Sequence, residues 1–166
     1  MNPYFQEMEM LGVDKYVLAN ITLHEAFDAI SPHTVNTRLL HIRDILHSIF
    51  DGVRRKILIT GSLYTMNSAY LPSLFPLGSI EMVHASPRLQ KQLDDLRKIY
   101  YLGRQDADRS GAVFSELTRS HPEVEAFVIA CTEHALALRE ITDQSRFLNL
   151  PRLQITHLLK YLTDSP

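Results

Sequence analysis

Ala126-Phe-Val-Ile-Ala-Cys-Thr-Glu-His-Ala-Leu-Ala-Leu138 is the stretch whose reading decides the fold. Five apolar residues in a row suit a strand buried on both faces of a parallel sheet. The polar set Cys131-Thr132-Glu133-His134 breaks the run, and the alanines and leucines through Ile141 read as a helix. A strand that turns directly into a helix belongs to a βαβ unit, and ligands in open α/β sheets gather at such strand ends. Cys131 is the one cysteine in the chain. Placed at a helix start beside a hydroxyl, a carboxylate and an imidazole, it is a candidate acid, base or nucleophile. The plainer alternative is a buried cysteine packing like a small hydrophobe.

The same grammar extends in both directions. Arg55-Lys-Ile-Leu-Ile-Thr60 reads as a strand, followed by the turn Gly61-Ser-Leu-Tyr-Thr65 and a helix from Asn67 to Phe75. Residues 79–84 read as another strand. Pro87 then opens a helix to Leu102, since its missing N–H costs nothing in a first turn. A further helix spans 106–120, and His121-Pro122 ends it. Downstream, Pro151 precedes an expected strand at 152–155 and a last helix to about Leu162. Upstream, 3–11 reads as a helix closed by Gly12, 15–20 as a strand, and 23–30 as a helix stopped at Ser31-Pro32. Residues 38–42 are either a strand leading into a helix to Phe50 or part of one helix, with Asp51-Gly52 as the break. Strands alternating with helices predict an α/β protein with parallel sheets flanked by helices.

With 166 residues, 45% of them apolar, the chain can bury a substantial core. A net charge of −2 gives no reason to expect nucleic acid or an anionic membrane as partner. No apolar run approaches a membrane span, and the N-terminus does not read as a signal peptide. A single cysteine suits a reducing compartment, so a cytoplasmic protein is expected. The eight histidines form no H-x-x-x-H pair and there is no C-x-x-C, so no metal site is expected. Phosphate-binding and α/β-hydrolase signatures are absent as well.

Three polar clusters stand at expected strand ends. Thr132 and Glu133 accompany Cys131; Ser62 and Thr65 offer hydroxyls after Gly61; and Asn20, Thr22 and His24 follow the strand at 15–20. Each alone can be a helix cap. Val17 to His24 echoes Val128 to His134, which suggests two similar units facing each other. His134 is a further candidate, whereas His33, His41, His47, His84, His121 and His157 read as surface or core residues. Tyr100-Tyr101, late in a helix, read as packing residues.

On these residues the chain resembles the cofactor-independent aspartate/glutamate racemase superfamily, from about Tyr4 to about Leu162. Ala130-Cys-Thr-Glu133 is similar to that family's second cysteine motif. Thr60-Gly-Ser62, Thr65-Met-Asn-Ser68 and Tyr70 resemble its carboxylate-holding segment, and Ile99-Tyr100 its I-Y pair. The resemblance implies two α/β lobes with the active site between them and no pyridoxal phosphate or other cofactor. In that scheme two thiols serve opposite faces of a substrate α-carbon, one removing the proton and the other returning it. Cys131 matches the second thiol. The first motif departs: Asn20-Ile-Thr-Leu-His24 overlays C-N-T-A-H, so Asn20 replaces the first thiol and Ile21 the asparagine. Gln154 stands in place of a strand-end aspartate. The family's first strand and its glycine-rich loop are not found before Asn2.

The resemblance therefore implies an incomplete first lobe over 1–52, a complete flavodoxin-like second lobe over 53–150, and a strand and helix over 151–166 returning to the first. It implies a pocket for a small amino or carboxylic acid. Cys131 is the expected catalytic residue, and Asn20, Thr22, Ser62, Thr65, Thr132 and Glu133 are the expected binding residues. With Asn20 in place of a thiol, two-base racemisation is expected to be lost or much reduced. The alternative is a one-cysteine isomerase, racemase or decarboxylase using Cys131. An incomplete lobe would expose apolar surface, so a homodimer or higher oligomer is expected.

Overall fold

The strand expected at 55–60, Arg55–Thr60 (β1), lies inside a four-stranded parallel sheet. The computed structural model describes residues 10–30 and 38–164. One edge of β1 pairs with Ile80–Met82 (β2) and the other with Ala126–Ile129 (β3), which pairs in turn with Phe147–Asn149 (β4). Among the described residues, Ile21–Ile30 (α1) and Ile42–Phe50 (α2) precede the sheet. Leu63–Asn67 (α3) and Tyr70–Ser73 (α4) join β1 to β2; Pro87–Tyr101 (α5) and Ala107–Ser120 (α6) join β2 to β3. Thr132–Ala137 (α7) and a 3₁₀ turn at Leu138–Glu140 lead to β4, and Leu150–Asp164 (α8) closes the chain.

Period-two alternation in the strands divides the core between the two faces of the sheet. Leu58, Phe127 and Ile129 pack with Leu93 and Leu96 of α5, Phe114 and Leu117 of α6, and Ala137 of α7. Ile57, Ile59, Ala126 and Val128 pack on the other side with Ile21 of α1, Ile42, Leu46 and Phe50 of α2, Leu71 of α4 and Leu150 of α8. Each such fully buried Leu, Ile or Phe contributes about 1.5–3 kcal/mol of burial free energy. The strand order β2-β1-β3-β4 makes the chain leave β1 toward one edge and β3 toward the other. A crevice therefore opens between the carboxyl ends of β1 and β3, where ligands bind in open α/β sheets.

Several elements differ from the sequence expectation. The strand expected at 152–155 is helical, and the last strand lies earlier, at Phe147–Asn149. Asn149 Oδ1 accepts from the Arg152 N–H at 3.0 Å, and Pro151 occupies the first turn of α8. This is the arrangement expected for Pro87, where Ser86 caps α5 and Pro87 opens it. Gln154 consequently lies inside α8 and not at a strand end. The strand expected at 15–20 is reduced to one parallel bridge, Tyr16 with Leu39. Two short parallel segments with no third strand beside them among the described residues cannot build a ladder. In place of the turn expected through Thr65 and the single helix from Asn67 to Phe75 there are two short helices, the first already starting at Leu63, and α1 begins two residues before Leu23. The chain from 42 onward is helix, with His41 as cap: its Nδ1 accepts from the Arg43 N–H at 3.1 Å. Gly12 has the left-handed φ of +67° of a helix-closing glycine. The helix expected over 3–11 falls almost entirely outside the described residues, as does His33.

Candidate functional site

Two turns at the ends of β1 and β3 build the site. After β1 the chain needs a tight entry into α3, and Gly61 permits it: a Cβ there would lie 3.2 Å from Thr65 Cβ. Ser62 caps α3, its Oγ accepting from the Thr65 N–H at 3.1 Å, and the Ser62 and Thr65 hydroxyls are 2.9 Å apart. After β3, Cys131 stays extended and caps α7, its Sγ accepting from the His134 N–H at 3.4 Å. Thr132 Oγ1 donates to Glu133 Oε2 at 3.2 Å. From the N-terminal segment comes the third cluster: Asn20 Oδ1 accepts from Thr22 N–H at 3.0 Å and Oγ1 at 2.7 Å, capping α1.

These turns enclose a cavity of about 240 Å³ lined by Ala19, Asn20, Thr22, Ser62, Thr65, Arg97, Ala130, Cys131, Thr132 and Glu133. The volume lies below the range of drug-sized pockets and suits a metabolite of a few heavy atoms. All seven residues expected from sequence to catalyse or bind stand in this one lining. A larger depression of about 520 Å³ lies between α6 and residues 140–147. It sits on the amino-terminal side of β4 and contains no thiol, so the chemistry points to the smaller cavity.

Cys131 is half-buried, open to a small molecule yet surrounded mostly by protein. Burial pushes its thiol up to about 12, and the nearby Glu133 carboxylate acts in the same direction. The His134 N–H and the Arg97 charge oppose this without reversing it. At neutral pH the group is therefore a thiol holding its proton, not a resting thiolate.

Neither histidine candidate lines the cavity. His134 is wholly buried: its Nε2 lies 2.9 Å from the Leu93 carbonyl and its Nδ1 3.2 Å from Thr60 Oγ1. The carbonyl only accepts, so Nε2 carries the hydrogen and Nδ1 accepts from Thr60. Burial holds this imidazole neutral, near a pKa of about 4. His24 is equally buried, with Nε2 2.9 Å from the Leu18 carbonyl and 2.8 Å from Gln154 Nε2. Gln154 also donates to the Leu18 carbonyl at 3.0 Å. The Gln154 amide nitrogen thus meets both His24 and the Leu18 carbonyl and ties α8 to the chain before Asn20. Burial, and then the neighbouring His41, lower His24 to about 4. Both side chains point inward because they fall on the apolar stripes of α1 and α7, which places them under the turns.

Tyr70 also misses the cavity; its hydroxyl donates to Asp28 Oδ2 at 2.8 Å, and burial raises its pKa. Tyr100 braces α5 against α6 through Ser110, 2.9 Å away. Sequence reasoning missed Arg97. The one signal for it was Asp94 three residues earlier, an i,i+3 pair on α5 with the acid on the buried face. Among the described residues no cluster of three His, Cys, Asp or Glu is arranged to hold a metal ion. No helix among them is long and apolar enough to cross a membrane.

No family model matches the chain, and no curated protein sequence matches it. Solved structures do. An Asp/Glu racemase candidate from Yersinia pestis superposes with a TM-score of 0.71 at 19% identity, over 95% of this chain and 70% of that one. An aspartate racemase homologue from Pyrococcus horikoshii gives 0.75 at 20% identity, over 96% and 71%. The fold is the α/β fold of Asp/Glu racemase homologues.

Proposed function

We propose that this protein is a racemase-like member of the aspartate/glutamate racemase superfamily that binds a small amino or carboxylic acid in the Cys131 cavity. In this reading it no longer racemises by two thiols. The observation that carries the proposal is the cavity lining: Cys131 and six expected polar residues share one small space, and the position echoing Cys131 holds an amide, Asn20. An amide neither ionises nor takes up a proton at neutral pH, so Asn20 offers no acid or base from its side of the space. The Ser62–Thr65 hydroxyl pair has one proton left to give a carboxylate, and Glu133, which accepts from Thr132, faces an ammonium group. Cys131 exchanges a proton with the α-carbon from one face.

The test is α-proton exchange in D₂O, followed by proton NMR, with L- and D-aspartate and L- and D-glutamate. The expected result is exchange with retained configuration, or binding without exchange, and loss of any exchange in Cys131→Ala. Asn20→Cys, which restores a thiol pair, is expected to raise the racemisation rate by roughly 10²-fold, a typical contribution of one acid/base group. Efficient racemisation by the wild-type protein would overturn the reading.

A one-cysteine lyase is the second reading, and the protonated state of Cys131 favours it. Decarboxylation leaves a carbanion that needs a proton donor, and a thiol held near 12 keeps its proton until the carbanion forms. Carbon dioxide release from a substituted malonate, abolished in Cys131→Ala, would select it. Self-association belongs to the same proposal, and light scattering at micromolar concentration should show at least a dimer.

A further inference from the structure

We propose that Arg97 is the residue that reads a ligand carboxylate in the Cys131 cavity, and that Asp94 is its positioning residue. The inference rests on the reading that this cavity takes a small acid, and it names the group that would select one. Among the residues lining the cavity Arg97 is the only cation and Glu133 the only carboxylate. Without Arg97 the lining would carry a net negative charge and would disfavour any acid. The Ser62 and Thr65 hydroxyls cannot substitute, because they are neutral and bonded to each other.

The way Arg97 is held leaves it free for this task. Its Nε donates to Asp94 Oδ1 at 3.0 Å. Lys98 Nζ meets the second oxygen of Asp94 at 2.7 Å, and Arg97 meets that carboxylate at one oxygen through Nε alone. A guanidinium has five N–H donors, and this contact uses one. Among the described residues the Nη groups make no other hydrogen bond, while the side chain is 22% exposed and borders the cavity. Asp94 is itself buried and lies 3.4 Å from the Leu63 N–H at the start of α3. One buried carboxylate thus orients the arginine and steadies the helix start that presents Ser62 and Thr65. The Arg97 charge also reaches Cys131, where it lowers the thiol against the larger effect of burial.

Cys131 supplies its own reporter, because it is the only thiol in the chain. Iodoacetate and iodoacetamide differ in one respect that matters here: the first carries a carboxylate and the second a neutral amide. In either reaction the sulfur attacks the methylene carbon, iodide leaves with the C–I electron pair, and the thiol proton goes to solvent. Rates are measured on the full chain between pH 7 and 9.5, and their ratio is divided by the same ratio for free cysteine. Changing Arg97 also changes the thiolate fraction, but that alters both rates alike and cancels in the ratio.

The expected normalised ratio is on the order of tenfold or more in favour of iodoacetate, the selectivity of a charge-assisted hydrogen bond. It should fall to about one in Arg97→Gln and to an intermediate value in Arg97→Lys, which keeps the charge and loses the fork. Asp94→Asn should lower it less than Arg97→Gln; an unchanged ratio there overturns the positioning role. A wild-type ratio near one overturns the proposal, as does a raised ratio that survives in both Arg97 variants. Failure of both reagents to reach Cys131 also overturns it, since a cavity closed to a two-carbon acid reads no carboxylate. Absence of α-proton exchange with a raised, Arg97-dependent ratio would leave carboxylate recognition standing and remove only the acid/base role.

Discussion

The Cys131 turn and the Asn20 turn border one cavity but stand on different supports. Cys131 follows β3, which is fully buried and hydrogen-bonded to a strand on each side. Asn20 follows a segment tied by a single bridge, and the small cluster beneath it holds Tyr16, Phe27 and Leu39. In each turn the lead residue caps a helix and a buried histidine one turn later braces the backbone. The chemistry differs as the support does. The thiol stands on the rigid side, where its position relative to Ser62 and Arg97 is fixed by the sheet, and the amide stands on the softer side.

The largest expected effect separates the two supports directly. Phe127→Ala removes a fully buried ring between the strands and α5–α6, and should lower unfolding stability by about 3–5 kcal/mol. Leu39→Ala, in the small cluster, should cost about 2 kcal/mol, because that site has fewer neighbours and can relax. Urea unfolding followed by circular dichroism measures both. Equal losses would mean that the N-terminal segment is held as firmly as the sheet, and the contrast between the turns would disappear.

Acid titration reads the histidine braces next. His134 and His24 are neutral in the folded chain, held near about 4, whereas an unfolded histidine titrates near 6.5. Below 6.5 the unfolded chain takes up protons that the folded chain refuses, so stability is complete above that pH and is lost as pH falls toward 4. For His134 the loss is about 3 kcal/mol across that window. Asp94 and Asp95, held below the usual carboxylate range, act only at lower pH, whereas His41, also lowered by burial, adds to the loss on the His24 side. A urea midpoint that stays flat from pH 6.5 to 4.5 would show that the braces are not held neutral. A loss that persists in His24→Gln and shrinks in His134→Gln would place most of it under the Cys131 turn.

The same contrast explains how much of the molecule was legible in the sequence. The strands 55–60 and 126–129 announce themselves because both faces are buried, which demands unbroken apolar runs, and the cavity then follows from where those runs end. Ser62, Thr65, Cys131, Thr132 and Glu133 are readable for that reason, and Asn20 and Thr22 from the end of the apolar run at 15–20. The segment 15–20 is also apolar, but a strand needs neighbours, and its own residues do not reveal that, among the described residues, it is bridged only by Leu39. Pro151 was misplaced although Asn149 and Pro151 carry the same signals as Ser86 and Pro87; a plausible strand pattern at 152–155 competed with the cap. His24 and His134 looked like site residues because they adjoin polar turns, yet helical geometry turns them a third of a revolution away, into the core. Arg97 comes from a distant helix, and only packing brings it to the cavity.

The smallest effect bears on why a thiol stands at position 131. As an N-cap, sulfur is a weak acceptor, and its contact with the His134 N–H is long at 3.4 Å. Serine is a strong cap, so Cys131→Ser should leave stability unchanged or raise it by a few tenths of a kcal/mol to about 1 kcal/mol. Asn20→Ala removes a good cap from α1 and should lower stability by about 1 kcal/mol. Thermal unfolding of the two variants, with signs opposite or one near zero, would show that Asn20 serves its turn structurally while Cys131 does not. A clear loss of stability in Cys131→Ser would instead assign the thiol to packing, because its replacement would then have exposed a buried hydroxyl that the turn cannot satisfy. Stability and the proton-exchange result should therefore move independently at position 131 and together at position 20.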